Sequence, residues 1–237
     1  MLPLRPAVVA RCLLVAGLAA VAPVPVAAQS LHTTAIRIEL GPQAPIVSFE
    51  VVNPGTQDTM VHVRPVVWEQ PGGEDRLTPS DRLVVSPPIF DLAPQGRQLV
   101  RVGLATPASG EVEQAFRLLI DEVPDRVKPV PGQIRTVVRI SVPVFVLPNR
   151  PPAPRLAAGP MRAGALSLRN QGNTHVRVDW IVLRDRHGAE LGRHKVFVYL
   201  LPGAERVVQV PIAPGREQAV AVVAMETDAG PLTSELR

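Results

Sequence analysis

Few residues of this chain are able to do chemistry, and their spacing argues against catalysis. The five histidines, His32, His62, His175, His187 and His194, show no His-x-x-x-His or comparable ligand spacing. Each therefore reads as a surface or strand-edge residue and not as a metal ligand. Ser86 and Ser141 lack the Gly-x-Ser-x-Gly turn that exposes a hydrolase nucleophile. Asp121 and Glu122 are adjacent, and a strand throws neighbouring side chains to opposite faces, which separates the two carboxylates. No glycine-rich phosphate loop occurs. An enzyme is not expected, and neither is a metal or a cofactor.

The segment from Ile134 to Pro148, IRTVVRISVPVFVLP, is the most telling element of the chain. By period-two geometry Ile134, Thr136, Val138, Ile140, Val142, Val144 and Val146 lie on one side of a strand, while Val137, Phe145 and Leu147 point the other way. Both faces want cover. A strand of about fifteen residues is well beyond the usual five or six. Part of it is expected to run past its own sheet, offering apolar side chains and unpaired backbone to something else. Such an edge is a liability unless a partner is intended.

The elements around it read as an all-β protein. Proline is abundant, 27 of 237 residues, and aromatics are scarce, which favours many short strands over helices. Residues 1–28 read as a signal peptide: Arg5 and Arg11 flank an apolar run from Cys12 to Ala22, and Val26-Ala27-Ala28 offers small residues for cleavage. The run is too short, and too broken by Pro23 and Pro25, for a membrane span, so a soluble exported protein is expected. Cys12, the only cysteine, leaves with the signal. The mature chain then forms no disulfide. Removal of Arg5 and Arg11 leaves 23 basic against 21 acidic residues, a net charge of +2. With no basic block longer than two residues, nucleic-acid binding is not expected.

Seven strands are expected in residues 29–148: Thr33–Leu40, Ile46–Asn53, Thr59–Gln70, Arg82–Val85, Gln98–Leu104, Ala115–Val123 and Ile134–Leu147. They are punctuated by Asn53-Pro54-Gly55, Pro71-Gly72-Gly73 and Pro131-Gly132. Within Ile46–Asn53, Val47, Phe49 and Val51 share the core side. Four prolines between Pro148 and Pro154 mark a stiff connector, residues 149–155. Residues 156–237 then carry five expected strands, Ala165–Asn170, Val176–Arg184, Arg193–Tyr199, Arg206–Ile212 and Gln218–Thr227. This second domain is small and should lean on the first. No internal repeat is visible.

Two segments, Ser86–Arg101 (SPPIFDLAPQGRQLVR) and Glu113–Pro124 (EQAFRLLIDEVP), precede the long strand. Together they resemble the periplasmic chaperones of the chaperone/usher pathway, which assemble pili and fimbriae in Gram-negative bacteria. Leu168-Arg169-Asn170-Gln171-Gly172 and Tyr199-Leu200-Leu201-Pro202-Gly203 look like family segments of the second domain, so the resemblance spans essentially the whole mature chain. The Val142-Pro143-Val144-Phe145-Val146 ending and the lack of cysteines are most similar to the archaic branch, which includes the spore-coat-protein-U-like systems. The resemblance implies two immunoglobulin-like β-sandwiches at an angle. It also implies a periplasmic chaperone that completes the fold of pilus subunits by lending them a strand and passes them to an outer-membrane usher.

Matched onto the family's donor strand, the inserting residues are Ile134, Thr136, Val138 and Ile140; the alternative is that they fill the chain's own core. Arg37 matches the family arginine that anchors the subunit's terminal carboxylate. The family's partner lysine falls at Pro143, so that Arg139 or another basic group substitutes, or the anchor is weaker. Glu113 and Asp228 match acids of an interdomain ion network whose arginine is replaced here by Leu147, with Arg150 a candidate substitute. The loop from Asp125 to Gln133 is expected to order when a subunit docks. The rival readings are a secreted structural or adhesive β-sandwich module, which should want an aromatic-lined or calcium-binding site, and a secreted hydrolase.

Overall fold

Alternating apolar and polar residues build two sandwiches in the computed structural model, which describes residues 31–107, 110–123, 137–213 and 215–236 of the 237. The first holds β1 (His32–Thr33), β2 (Ile38–Leu40), β3 (Ile46–Val52), β4 (Thr59–Glu69), β5 (Arg76–Pro79), β6 (Leu83–Ser86), β7 (Ile89–Leu92), β8 (Arg97–Leu104), β9 (Gln114–Val123) and β10 (Arg139–Val146). One sheet runs β1-β3-β8-β6; the other runs β2-β10-β9-β4-β5, with β7 also on β4. The second holds β11 (Leu156–Arg162), β12 (Ala165–Asn170), β13 (Val176–Arg184), β14 (Glu190–Leu200), β15 (Glu205–Gln209), β16 (Val222–Thr227) and β17 (Gly230–Glu235). Its sheets run β11-β12-β15 and β14-β13-β16-β17. Each sandwich has its own apolar core, the first around Phe49, Leu118 and Val144, the second around Leu166, Ile181 and Met225.

Several sequence expectations need correction. The strand expected over Thr33–Leu40 is two strands in opposite sheets: β1 pairs antiparallel with β3, and β2 pairs parallel with β10. Alternation alone does not show that the chain crosses between sheets at Thr34–Arg37, because Leu31 and Ile38 face the same core from its two sides. Four strands, β5, β7, β11 and β17, are absent from the sequence reading. The first two are short, and Pro160 and Pro231 interrupt the apolar alternation of the others. The strand expected from Gln218 begins only at Val222, after a single 3-10 turn over Glu217–Ala219. Ile134, Thr136, residues 125–133 and residues 1–28 lie outside the described residues.

The two sandwiches reuse one turn. Asn53 accepts the Gly55 N–H (2.9 Å) through Oδ1 and donates Nδ2–H to the Gln57 carbonyl (2.8 Å). Asn170 accepts the Gly172 N–H (2.8 Å) and donates to the Thr174 carbonyl (2.8 Å). Both asparagines are buried, so each satisfies backbone groups that water does not reach. No repeat is visible in the sequence, yet the Asn-x-Gly spacing recurs where each sandwich turns the same corner.

Candidate functional site

The face of β10 changes along its length. Val142, Val144 and Val146 are buried in the first core, and Val138 and Ile140 pack against its margin only partly buried. Val137 is 47% exposed. The edge changes too. β9 pairs with β10 from Arg139 to Val146, whereas β2 covers only Val144, Phe145 and Val146. The Glu122 N–H donates to the Val138 carbonyl (3.0 Å), so by antiparallel alternation the N–H groups of Arg139 and Ser141 point to the side away from β9. Among the described residues no strand pairs with them there. Pro143, which has no N–H to offer, stands where this open stretch meets β2.

The opposite face of β10 meets the second sandwich. Phe145 is fully buried with Trp68, Ala115, Leu201 and Ala204, with Tyr199 edge-on to Trp68 at 5.5 Å. This face is therefore covered at Phe145, in part by the other domain, while Arg139 and Ser141 stay exposed. Gln70 adds a polar hinge point: its Nε2 donates to the Tyr199 carbonyl (3.0 Å), and its Oε1 accepts the Leu201 N–H (2.9 Å). Next to it Gly73, at φ +85°, lets the chain touch β15, since a Cβ there would stand 2.6 Å from the Glu205 carbonyl oxygen. Only glycine fits both the backbone and the approach.

Charged residues line this cleft in register. Ile38, Val144 and Phe116 form one core-facing row across β2, β10 and β9. Pro143 pairs with Arg117, so both turn away from that row toward the cleft, and Arg37, one residue before β2, reaches the same cleft through Asp228. Arg37 bonds Asp228 (2.8 Å) and Glu39 (3.1 Å). Arg117 lies 3.8 Å over the Trp68 ring and donates to Ser141 Oγ (3.2 Å). Burial draws its guanidinium below the ordinary value, with Asp75 and Tyr199 opposing, and it stays charged. Arg139 sits farther out, on Asp121, which Arg64 also binds (2.5 Å). Burial alone would raise the Asp121 carboxyl, but Arg139 and Arg64 outweigh it and hold it low. Glu122 is buried on the other face, so the adjacent acids do part as alternation requires.

Glu113 and Asp228 come together on the two nitrogens of His175, at 2.8 Å from Nδ1 and 3.5 Å from Nε2. This corrects the sequence reading of every histidine as a surface or strand-edge residue: His175 is buried between the sandwiches, stacked 3.5 Å on Phe145 with the ring planes 6° apart. Arg150 does not join them; it pairs with Glu111 (2.5 Å) at the surface.

A family model described as pili and flagellar-assembly chaperone, PapD N-terminal domain, matches residues 30–152. The chain belongs to that family. No curated protein matches it in sequence. Among solved structures, the CsuC–CsuE chaperone–tip adhesion subunit pre-assembly complex from archaic chaperone-usher Csu pili of Acinetobacter baumannii is similar, at TM-score 0.66 and 16% identity. The match covers 88% of this chain and 99% of that one. The E. coli chaperone DraB matches at TM-score 0.63 and 18% identity, over 88% and 97% of the two chains. The Salmonella enterica SafA pilin–SafB chaperone complex gives 0.61 and 15%, over 88% and 97%. The fold is thus that of the pilus-assembly chaperones, with two immunoglobulin-like sandwiches.

Within this chaperone family's fold, the residues that sequence reasoning missed are Arg117 and His175. Arg117 carries a signal, being the polar break in Ala115-Phe116-Arg117-Leu118-Leu119 that faces Pro143 once the β9–β10 register is known. His175 carries none, because its partner Glu113 is 62 residues away in the other sandwich.

Proposed function

We propose that this pilus-assembly chaperone is periplasmic and holds its subunits by donor-strand complementation, lending the first part of β10 before passing them to an outer-membrane usher. The observation that carries the proposal is the open backbone edge at Arg139 and Ser141, on a strand whose later half is sealed on both edges and both faces. A subunit lacking its last strand gains main-chain hydrogen bonds along that edge from any extended donor, and side chains in pockets select the donor. Val138 and Ile140 are the described apolar residues placed to insert, and Ile134 and Thr136 are the further inserting residues that the period-two spacing of the sequence offers. Each buried aliphatic contributes ~2 kcal/mol before ordering costs.

Arg37 is the anchor for the subunit's terminal carboxylate, and Arg117 is its second cation, standing one strand beyond Pro143 where the family's lysine is missing. Guanidinium groups on either side of a proline leave room between them for a carboxylate to accept from both. The archaic branch is the reading we favour for the ending of β10. The usher and subunits are its protein partners, and neither nucleic-acid binding nor membrane insertion forms part of the proposal.

The test is co-expression of the chain with its subunit followed by pull-down. Val138→Asp with Ile140→Asp is expected to leave the chaperone folded and abolish capture. Undiminished capture by the folded double variant contradicts the proposal.

A further inference from the structure

His175 occupies a position that a fixed charge would fill more simply, and its chemistry is different. Its turn is held by Asn170, which donates to the carbonyls of Thr174 (2.8 Å) and Leu200 (2.9 Å), so the ring is carried rigidly on the second sandwich. The loops on either side are zipped by the Glu113 N–H to the Asn173 carbonyl (2.9 Å) and by the Ala153 N–H to Asn173 Oδ1 (2.7 Å). Glu113, on the first sandwich, has a side chain 1% exposed, and its Oε1 receives both the His175 backbone N–H (2.9 Å) and the ring Nδ1.

The groups facing the imidazole come from five places. They are Glu113 before β9, Asp228 after β16, Arg37 before β2 acting through Asp228, Tyr199 of β14 with its ring 5.9 Å away, and Phe145 of β10. Arg177 of β13 turns its guanidinium to Asp179 and gives Asp228 only its backbone N–H (2.8 Å). The ring is thus flanked by two acids and has a carboxylate at each nitrogen.

An imidazolium has two N–H groups and a neutral imidazole has one. Only the charged form can donate to Glu113 and Asp228 at once. When the ring loses its proton, one nitrogen lone pair must face a carboxylate, and the buried Glu113 loses its counter-charge. We infer that His175 is a proton-operated latch between the two sandwiches, closed when the ring is charged and loosened when it is neutral.

The direction of titration agrees. Burial alone would lower the imidazole, but hydrogen bonds and charges from Asp228 and Glu113 outweigh it, so it is raised above its ordinary 6.5. A raised group contributes its full stabilisation below the unfolded value and loses it as pH climbs through the folded one, so the latch opens on the alkaline side of 6.5. On the acid side burial would raise the Asp228 carboxyl, but His175, the Arg177 backbone N–H and Arg37 hold it low. Its contribution is therefore lost only below the ordinary 3.8.

The experiment places spin labels at Thr56→Cys and Arg186→Cys, one exposed site on each sandwich, in a Cys12→Ser background, and reads the distance distribution by pulsed electron resonance. A narrow distribution at about pH 5.5 should widen at about pH 8.5, either side of the histidine range. His175→Gln should give one width at both. Equal widths in the parent, or the same pH response in His175→Gln, overturn the latch. NMR of the unmutated ring is the second reading: titration above the ordinary 6.5 supports the latch, and titration at or below it contradicts the latch.

Discussion

The two halves of the long strand share one aliphatic face, Val138 and Ile140 in the first and Val142, Val144 and Val146 in the second, but not their surroundings. From Val142 to Val146 the strand packs one face into the first core, Phe145 against the second sandwich, and its edges against β9 and β2. From Val138 to Ser141 it keeps β9 on one edge and has no strand on the other among the described residues, with Val138 and Ile140 only partly covered. Apolar character alone does not say whether a residue is structural or available. What decides is whether the neighbouring strand reaches that far, and β2 stops at the row of Val144.

The largest effect that would break this comparison comes from the sealed half. Val144→Asp buries a charge in the first core and is expected to cost about 4 kcal/mol or more, leaving that sandwich unfolded in urea titrations. The double substitution Val138→Asp with Ile140→Asp, by contrast, should lower stability by only about 1 kcal/mol, since both residues sit at the margin of the core. If the two losses are equal, the halves do not differ. The smallest effects concern the cleft. Arg37→Ala and Arg117→Ala are each expected to shift unfolding by less than about 1 kcal/mol, as partly exposed charges do, while each weakens subunit capture several-fold. A sharp fall in melting temperature for either would make that arginine structural.

Much of this is legible in the sequence. The β class, the positions of β3, β4, β8, β9, β12 and β13 to within a residue or two, and the core face of Phe49 and Val51 follow from period-two patterning and turn residues. The surplus of apolar surface on the long strand is also legible, and part of it serves the interface, since Phe145, beside Trp68 of its own sandwich, meets Tyr199 of the other. Pairings between distant segments were not legible. That Arg37 reaches Asp228, that Arg117 stands beside Pro143, and that Glu113 closes on His175 depends on strand register and on how one sandwich seats against the other. Alternation within a single strand carries no information about either.

Hydrogen exchange along β10 tests the central claim most directly, because it reads the backbone edge and not the side chains. In the free chaperone the amides of Arg139 and Ser141 should exchange rapidly while those of Val142, Val144 and Phe145 are protected, and addition of the subunit should protect Arg139 and Ser141 as well. Protection of Arg139 and Ser141 in the free chain, or rapid exchange that persists in the complex, would contradict it.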